Sequence, residues 1–193
     1  MRGLLWSSID NDTSRDLDQI EFAERASGGI RVRVGIADVD YGVRIDTAID
    51  GHARSQTTSV YTAVHTFSML PEELSTGLTS LNENEDRMAI VIEFVVAPDG
   101  TLSSMDVYRA LVRNRAQLTY SGVGAWLEGN AGAPPKVVGS GDLVVQLKLQ
   151  DEAALALRAQ RHRLGALEFD RAEAHAVVED GKTRAIRQLN ARA

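Results

Sequence analysis

Ile9-Asp10-Asn11-Asp12-Thr13-Ser14-Arg15-Asp16-Leu17-Asp18-Gln19-Ile20-Glu21 crowds five acidic side chains into thirteen residues. Like charges this close repel one another unless a cation sits among them. A loop lying free in solvent has no use for the apolar Ile9, Leu17 and Ile20, which pin the segment to a core. Hard divalent cations take oxygen ligands, and this stretch offers several to one centre. Asp16 and Asp18 are two apart, so an extended chain turns both to the same side. Asp10 precedes them and can fold back toward them. The pattern suits Mg²⁺ held by a few carboxylates, with coordination positions left for phosphate and water.

Two other readings of the same residues stay open. Counting from Asp10, oxygen donors fall at positions 1, 3, 5, 7 and 9, and Glu21 falls at 12, where a calcium-binding EF-hand places its bidentate acid. Against that count, position 6 is Arg15, where the sharp turn needs glycine. The second reading is a plain solvated acidic loop.

Outward from this segment the chain is mostly strand. Gly28-Gly29 is a turn between Ile20 to Ala23 and the alternating Ile30-Arg31-Val32-Arg33-Val34, which continues through Ile36 and Val39. Asp46 to Ser55 reads as helix, and Pro71-Glu72-Glu73-Leu74 as a short helix start. Met88 to Val96 and Thr101 to Arg115 form a hairpin around Asp99-Gly100. Tyr120 to Leu127 suits a short helix, and residues 129–141 form a glycine- and proline-rich loop. Asp142 to Leu164 predicts a long amphipathic helix capped by Asp142, its apolar stripe including Leu143, Leu147, Leu155 and Leu157. After Gly165 the chain turns extended, with Asp180-Gly181 between two short strands. The pattern predicts a mixed α/β (α+β) fold in which antiparallel strands pack with helices.

The 193 residues suffice for one domain with a sizeable core, and 44% hydrophobic with 25% charged residues is a globular profile. The absence of cysteine excludes a disulfide scaffold, a zinc finger, an iron–sulfur protein and a thiol nucleophile. No stretch approaches the roughly 18 apolar residues of a membrane span, so no membrane partner is expected and a cytoplasmic address is the default. The net charge of −6 excludes a generally basic nucleic-acid binder. It hides an asymmetry, however: residues 1–100 hold 8 basic and 17 acidic side chains, and residues 101–193 hold 13 and 10. A polyanion could approach the second half and be processed at the first; alternatively the arginines of residues 158–192 are a solvated helix face. The four histidines lack ligand spacing, Ser59 and Ser75 lack evident triad partners, and no phosphate-cradling glycine loop is present.

Ile9-Asp10 followed by Arg15-Asp16-Leu17-Asp18 resembles the opening signature of the RNB catalytic domain, the family of ribonuclease II and ribonuclease R. Further matches follow in order. They are Val34-Gly35-Ile36-Ala37-Asp38-Val39, Thr58-Ser59-Val60-Tyr61, Met69-Leu70-Pro71-Glu72-Glu73-Leu74-Ser75, Leu78-Thr79-Ser80-Leu81-Asn82 and Glu85-Asp86-Arg87. Ala116-Gln117-Leu118-Thr119-Tyr120 and Gly165-Ala166-Leu167-Glu168-Phe169 complete the series, so the resemblance covers nearly the whole chain.

That resemblance implies a 3′→5′ exoribonuclease, which hydrolyses single-stranded RNA to nucleoside 5′-monophosphates with Mg²⁺ (or Mn²⁺). It carries catalytic and metal-holding roles onto Asp10, Asp16 and Asp18, with Gln19 beside them as a neutral metal-contacting side chain. Tyr61, Tyr120 and Phe169 match the family's RNA-contacting aromatics, and stacking suits a sequence-tolerant nuclease because every base has a π-face. The expected layout is one partial RNB catalytic domain over 1–193. It comprises an acidic metal loop 9–21, an aromatic and Leu-Pro segment 58–81, a hairpin 88–115, a long helix 142–164 and closing strands 166–186. Two departures bear on function. The family usually has a fourth aspartate where Gln19 stands, and an amide brings no charge. The flanking RNA-binding domains and the C-terminal half of the catalytic domain are missing from 1–193, so a second chain or segment is an expected partner. The rival reading is a non-catalytic RNA-binding module that kept the fold and lost a metal ligand.

Overall fold

The computed structural model describes residues 1–62, 65–167, 171–179 and 182–191. Five strands close into a barrel: β1 (Trp6–Asp10), β2 (Gln19–Ala26), β3 (Gly29–Ala37), β6 (Asp86–Val96) and β7 (Leu102–Thr119). A two-stranded hairpin, β4 (Val60–Tyr61) and β5 (Thr66–Phe67), lies between β3 and β6 in sequence. The helices are α1 (Ala48–Gln56), α2 (Tyr120–Leu127), α3 (Pro135–Val138) and α4 (Gly141–Arg163). An antiparallel pair, β8 (Arg171–Glu179) and β9 (Lys182–Ala191), follows α4. The mixed α+β architecture agrees with the sequence pattern, and among the described residues no helix is long and apolar enough to cross a membrane.

Closure depends on the length of β7. Its first two-thirds pair antiparallel with β6, from Leu102 opposite Val96 to Arg113 opposite Asp86. Its end then pairs parallel with β1, from Trp6 opposite Asn114 to Asp10 opposite Thr119. The β2–β3 and β6–β7 hairpins match expectation; β1 and the β4–β5 hairpin were not expected from the pattern.

Alternation along the strands sorts the core. Trp6, Ile20, Phe22, Ala89, Val91 and Val112 meet inside the barrel, with Leu17 and Leu81 against them. Gly35 belongs there because a Cβ would come within 3.1 Å of Ile20 and 3.6 Å of the Trp6 ring. Ala23, Ile30, Val32 and Val96 point outward and are covered by Leu149 and Ala153 of α4. A second outer cluster joins Ala116 and Leu118 of β7 to Val123, Val137, Leu143 and Leu147. Gly100, at φ 81°, lets the β6–β7 turn approach α4: a Cβ there would lie 2.2 Å from the Ala156 carbonyl oxygen.

Three expectations are corrected. Ser140, not Asp142, caps α4 and accepts from the Leu143 N–H, while Asp142 sits in the first turn, where the helix dipole favours it. Leu155 is exposed; the buried stripe runs through Leu143, Leu147, Leu149 and Ala153. Residues 129–141 are not all loop, because α3 buries Val137 completely.

Gln146 performs a job no pattern announces. β1 meets β2 only at Ser7 and Glu21, so the peptide groups of Ala23 lack a strand partner on that side. The Gln146 side chain accepts from the Ala23 N–H at 2.8 Å and donates to the Ala23 carbonyl, completing the edge of β2 with a side-chain amide.

Candidate active site

The acidic segment connects β1 to β2 across one end of the barrel, with Leu17 as its anchor. Leu17 is 1% exposed and packs against the barrel core. Its N–H donates to the buried Ser80 Oγ at 2.9 Å, and its carbonyl accepts from the Leu81 N–H at 2.9 Å. The Asp18 carbonyl accepts from the Ala37 N–H at 2.9 Å. Because Leu17 is held inward, the flanking Asp16 and Asp18 are carried on fixed backbone at the barrel mouth.

A cleft of about 810 Å³ opens there, lined by Asp10, Asp16, Asp18, Gln19, Tyr61 and Tyr120 among others. Six of the residues singled out from sequence therefore share one cavity. Phe169, the seventh, lies outside the described residues. The two tyrosines are more than half exposed, as a stacking surface requires.

The electrostatics are those of crowded acids. Burial raises the Asp18 carboxyl above the ordinary carboxylate range, and Asp16 and Asp10 raise it further. Burial and then Asp10 push Glu21 up to about 7. The Tyr61 hydroxyl donates to Asp16 Oδ2, and that bond, with burial and the charges of Asp16 and Asp18, pushes the phenol up to about 12. Burial, Asp10 and Glu21 also raise Tyr120.

Several oxygens are already occupied. Asp10 Oδ1 accepts from the Asn11 N–H at 2.9 Å and from Ser14 Oγ at 2.7 Å. Asp12 Oδ1 accepts from Ser121 Oγ at 3.0 Å, tying the loop to the start of α2. Asp12 is thus a loop fastener. With Asp16 turned to Tyr61 and Asp10 partly turned to Ser14, no three acidic or imidazole side chains among the described residues stand as a closed ligand set. The donor chemistry nevertheless fits a hard divalent cation. The charges acting on Asp18 are both negative, and the buried Oε2 of Glu21 has no hydrogen-bond partner. A cation would relieve both.

The calcium-loop alternative fails on this geometry. The segment joins two strands, whereas an EF-hand loop joins two helices. The position-3 oxygen faces Ser121 and the position-5 hydroxyl faces Asp10, so they do not share a centre. Sequence reasoning missed Ser80, sixty-three positions from the peptide it fastens, and gave Glu21 no place outside the calcium count. Period-two alternation from Gln19 was the available signal for Glu21.

Acids gathered at a barrel mouth beside exposed aromatics are the layout of a nucleic-acid-processing domain, and comparison with known proteins assigns the family. The RNB domain matches residues 1–192, and the chain belongs to that family. A ribonuclease R of Vibrio parahaemolyticus is 39% identical over 174 residues, covering 90% of this chain and 20% of that protein. A Mycoplasma genitalium RNase R structure in complex with ribose methylated single-stranded RNA has a TM-score of 0.87 at 26% identity, covering 98% of this chain and 29% of that one. The same enzyme in complex with double-stranded RNA gives 0.87 at 27% identity, covering 98% and 33%. The chain spans about a fifth of the length of the curated relatives it matches.

Proposed function

We propose that this chain is the metal-holding part of a 3′→5′ exoribonuclease that degrades single-stranded RNA to nucleoside 5′-monophosphates in the cytoplasm. The observation that carries the reading is the convergence of Asp10, Asp16, Asp18, Tyr61 and Tyr120 on one cleft in a chain of the RNB family. The ribonuclease R relatives and their RNA complexes support an RNA substrate. Mg²⁺, with Mn²⁺ as substitute, is the cofactor best suited to an oxygen-only donor set.

Asp10, Asp16 and Asp18 would hold the cation, with the Gln19 amide oxygen as a neutral fourth contact. When bound, such a cation activates water and neutralises charge on the phosphate and leaving oxygen. Tyr61 and Tyr120 offer ring faces to the bases, a sequence-tolerant grip. Tyr61 also links base contact to acid placement, because its hydroxyl holds Asp16. Leu17, fastened by Ser80 and Leu81, keeps Asp16 and Asp18 from drifting when the cation and phosphate arrive. The remainder of a full RNB protein, in the same polypeptide or a second chain, would complete the RNA channel.

The test uses the protein containing this domain with 5′-labelled single-stranded RNA and Mg²⁺. Shortening from the 3′ end with release of mononucleotide is expected, and Asp18→Asn should abolish it while keeping RNA affinity within a few-fold. Undiminished cleavage by Asp18→Asn refutes the assignment. RNA binding without any cleavage by the unmodified protein favours the non-catalytic module, which the neutral Gln19 already suggests.

A further inference from the structure

Glu21 has no part in the site as drawn so far. Gln19 and Glu21 are the first and third residues of β2, so the pleat places them on one face. On the other face Ile20 and Phe22 enter the barrel core. The next residue on Glu21's own face, Ala23, is sealed under Leu149 and Ala153 of α4. The cover supplied by α4 ends one pleat short of Glu21, whose carboxyl lies between that packed region and the cleft lined by Gln19.

The local chemistry is unfinished. Glu21 Oε2 is buried without a hydrogen-bond partner. Directly across the β1–β2 pairing stands Ser7, whose buried Oγ is also unpartnered. The charged group that acts on Glu21 is another acid, Asp10 at the end of β1. A buried, unpaired carboxylate is among the most costly arrangements in a fold, and an apolar residue at this position would remove the cost. Retaining an acid here makes sense if a positive charge arrives.

We propose that Glu21 is a carboxylate of the divalent-cation site. It acts beside Asp10 and Asp18, through its unpartnered oxygen, and supplies the charge that the Gln19 amide does not. The acid has in effect moved two residues along the same face of one strand. This inference rests on the metal reading above, and its test separates the two.

Mn²⁺ is titrated into the 193-residue chain by calorimetry, with melting temperature recorded with and without the ion. The variants are Glu21→Gln, Asp18→Asn and the double change Gln19→Asp with Glu21→Gln. Glu21→Gln should weaken Mn²⁺ binding about 10–100-fold, and its metal-free melting point should equal or exceed that of the unmodified chain. The double variant should recover most of the lost affinity, which a merely structural role for Glu21 does not explain. If Asp18→Asn loses Mn²⁺ while Glu21→Gln binds it like the unmodified chain, the proposal for Glu21 is overturned and the metal reading stands. If the unmodified chain takes up no Mn²⁺, the metal reading falls and the proposal falls with it.

Discussion

Replacing Ser80 by Ala tests whether the acidic loop is held by design from a distant segment. Ser80 is 2% exposed, and its Oγ accepts from the Leu17 N–H at 2.9 Å while also reaching the Arg15 carbonyl at 3.2 Å and Asn82 Oδ1 at 3.0 Å. Removing the hydroxyl strands a buried backbone N–H, at a cost of about 1–3 kcal/mol. For a domain of this size that is a fall in melting temperature of roughly 2–12 °C. The functional consequence should be larger than the loss of stability implies, because the freed peptide lies between Asp16 and Asp18. Thermal unfolding by circular dichroism gives the first quantity, and Mn²⁺ affinity well below the melting point gives the second. Ser80→Ala should lose both, whereas Ser80→Thr, which keeps the hydroxyl, should recover part of each. A Ser80→Ala protein with unchanged melting point and Mn²⁺ affinity would refute the claim that this bond holds the loop.

In chelator, the burial of Glu21 makes stability depend on pH. Its carboxyl is raised from 4.5 to about 7 in the fold, so its stabilising share is complete below pH 4.5 and is lost as pH rises through 7. Glu21→Gln should therefore gain on the unmodified chain by up to about 3 kcal/mol between pH 5 and pH 8, read as diverging urea midpoints; parallel curves would contradict it. Gln146→Leu strands the N–H and carbonyl of Ala23 and should cost about 1–3 kcal/mol for each group, with amide exchange accelerating at Ala23 if Gln146 completes the strand edge as described. Tyr61→Phe should keep RNA affinity within about twofold, whereas Tyr61→Ala should lose the roughly 1–3 kcal/mol of one stacked base in fluorescence anisotropy. Equal losses from both would move the role of Tyr61 from its ring to its hydroxyl.

Much of the fold was readable because it obeys local periodicity. Ile30 to Ile36, Met88 to Val96 and the residues after Gly100 announce strands by alternation and turn chemistry, and α4 announces itself by its apolar spacing. Closure of the barrel was hidden because β1 is only five residues long and finds its parallel partner more than a hundred positions away in β7. Leu155 misled because α4 serves two clusters in succession, and the stripe ends with Ala153 and Leu157. At the α4 start both Ser140 and Asp142 are competent caps; the extended backbone at Ser140 decides between them. Within the site, the acids and tyrosines stood out as residue types, but their neighbours did not. Asp12 looks like a ligand in sequence and is a fastener to Ser121 in space. Ser80 and Glu21 carry weight only through burial and pairing, which no linear pattern reports.

Crystals of the chain soaked in Mn²⁺ and measured at the manganese absorption edge put the account to its plainest trial. An anomalous peak is predicted in the cleft, about 2.2 Å from carboxylate oxygens of Asp10 and Asp18, with Asp16 released from Tyr61 or bridging to it. A map with no manganese there, and those side chains arranged as in the metal-free fold, would contradict it.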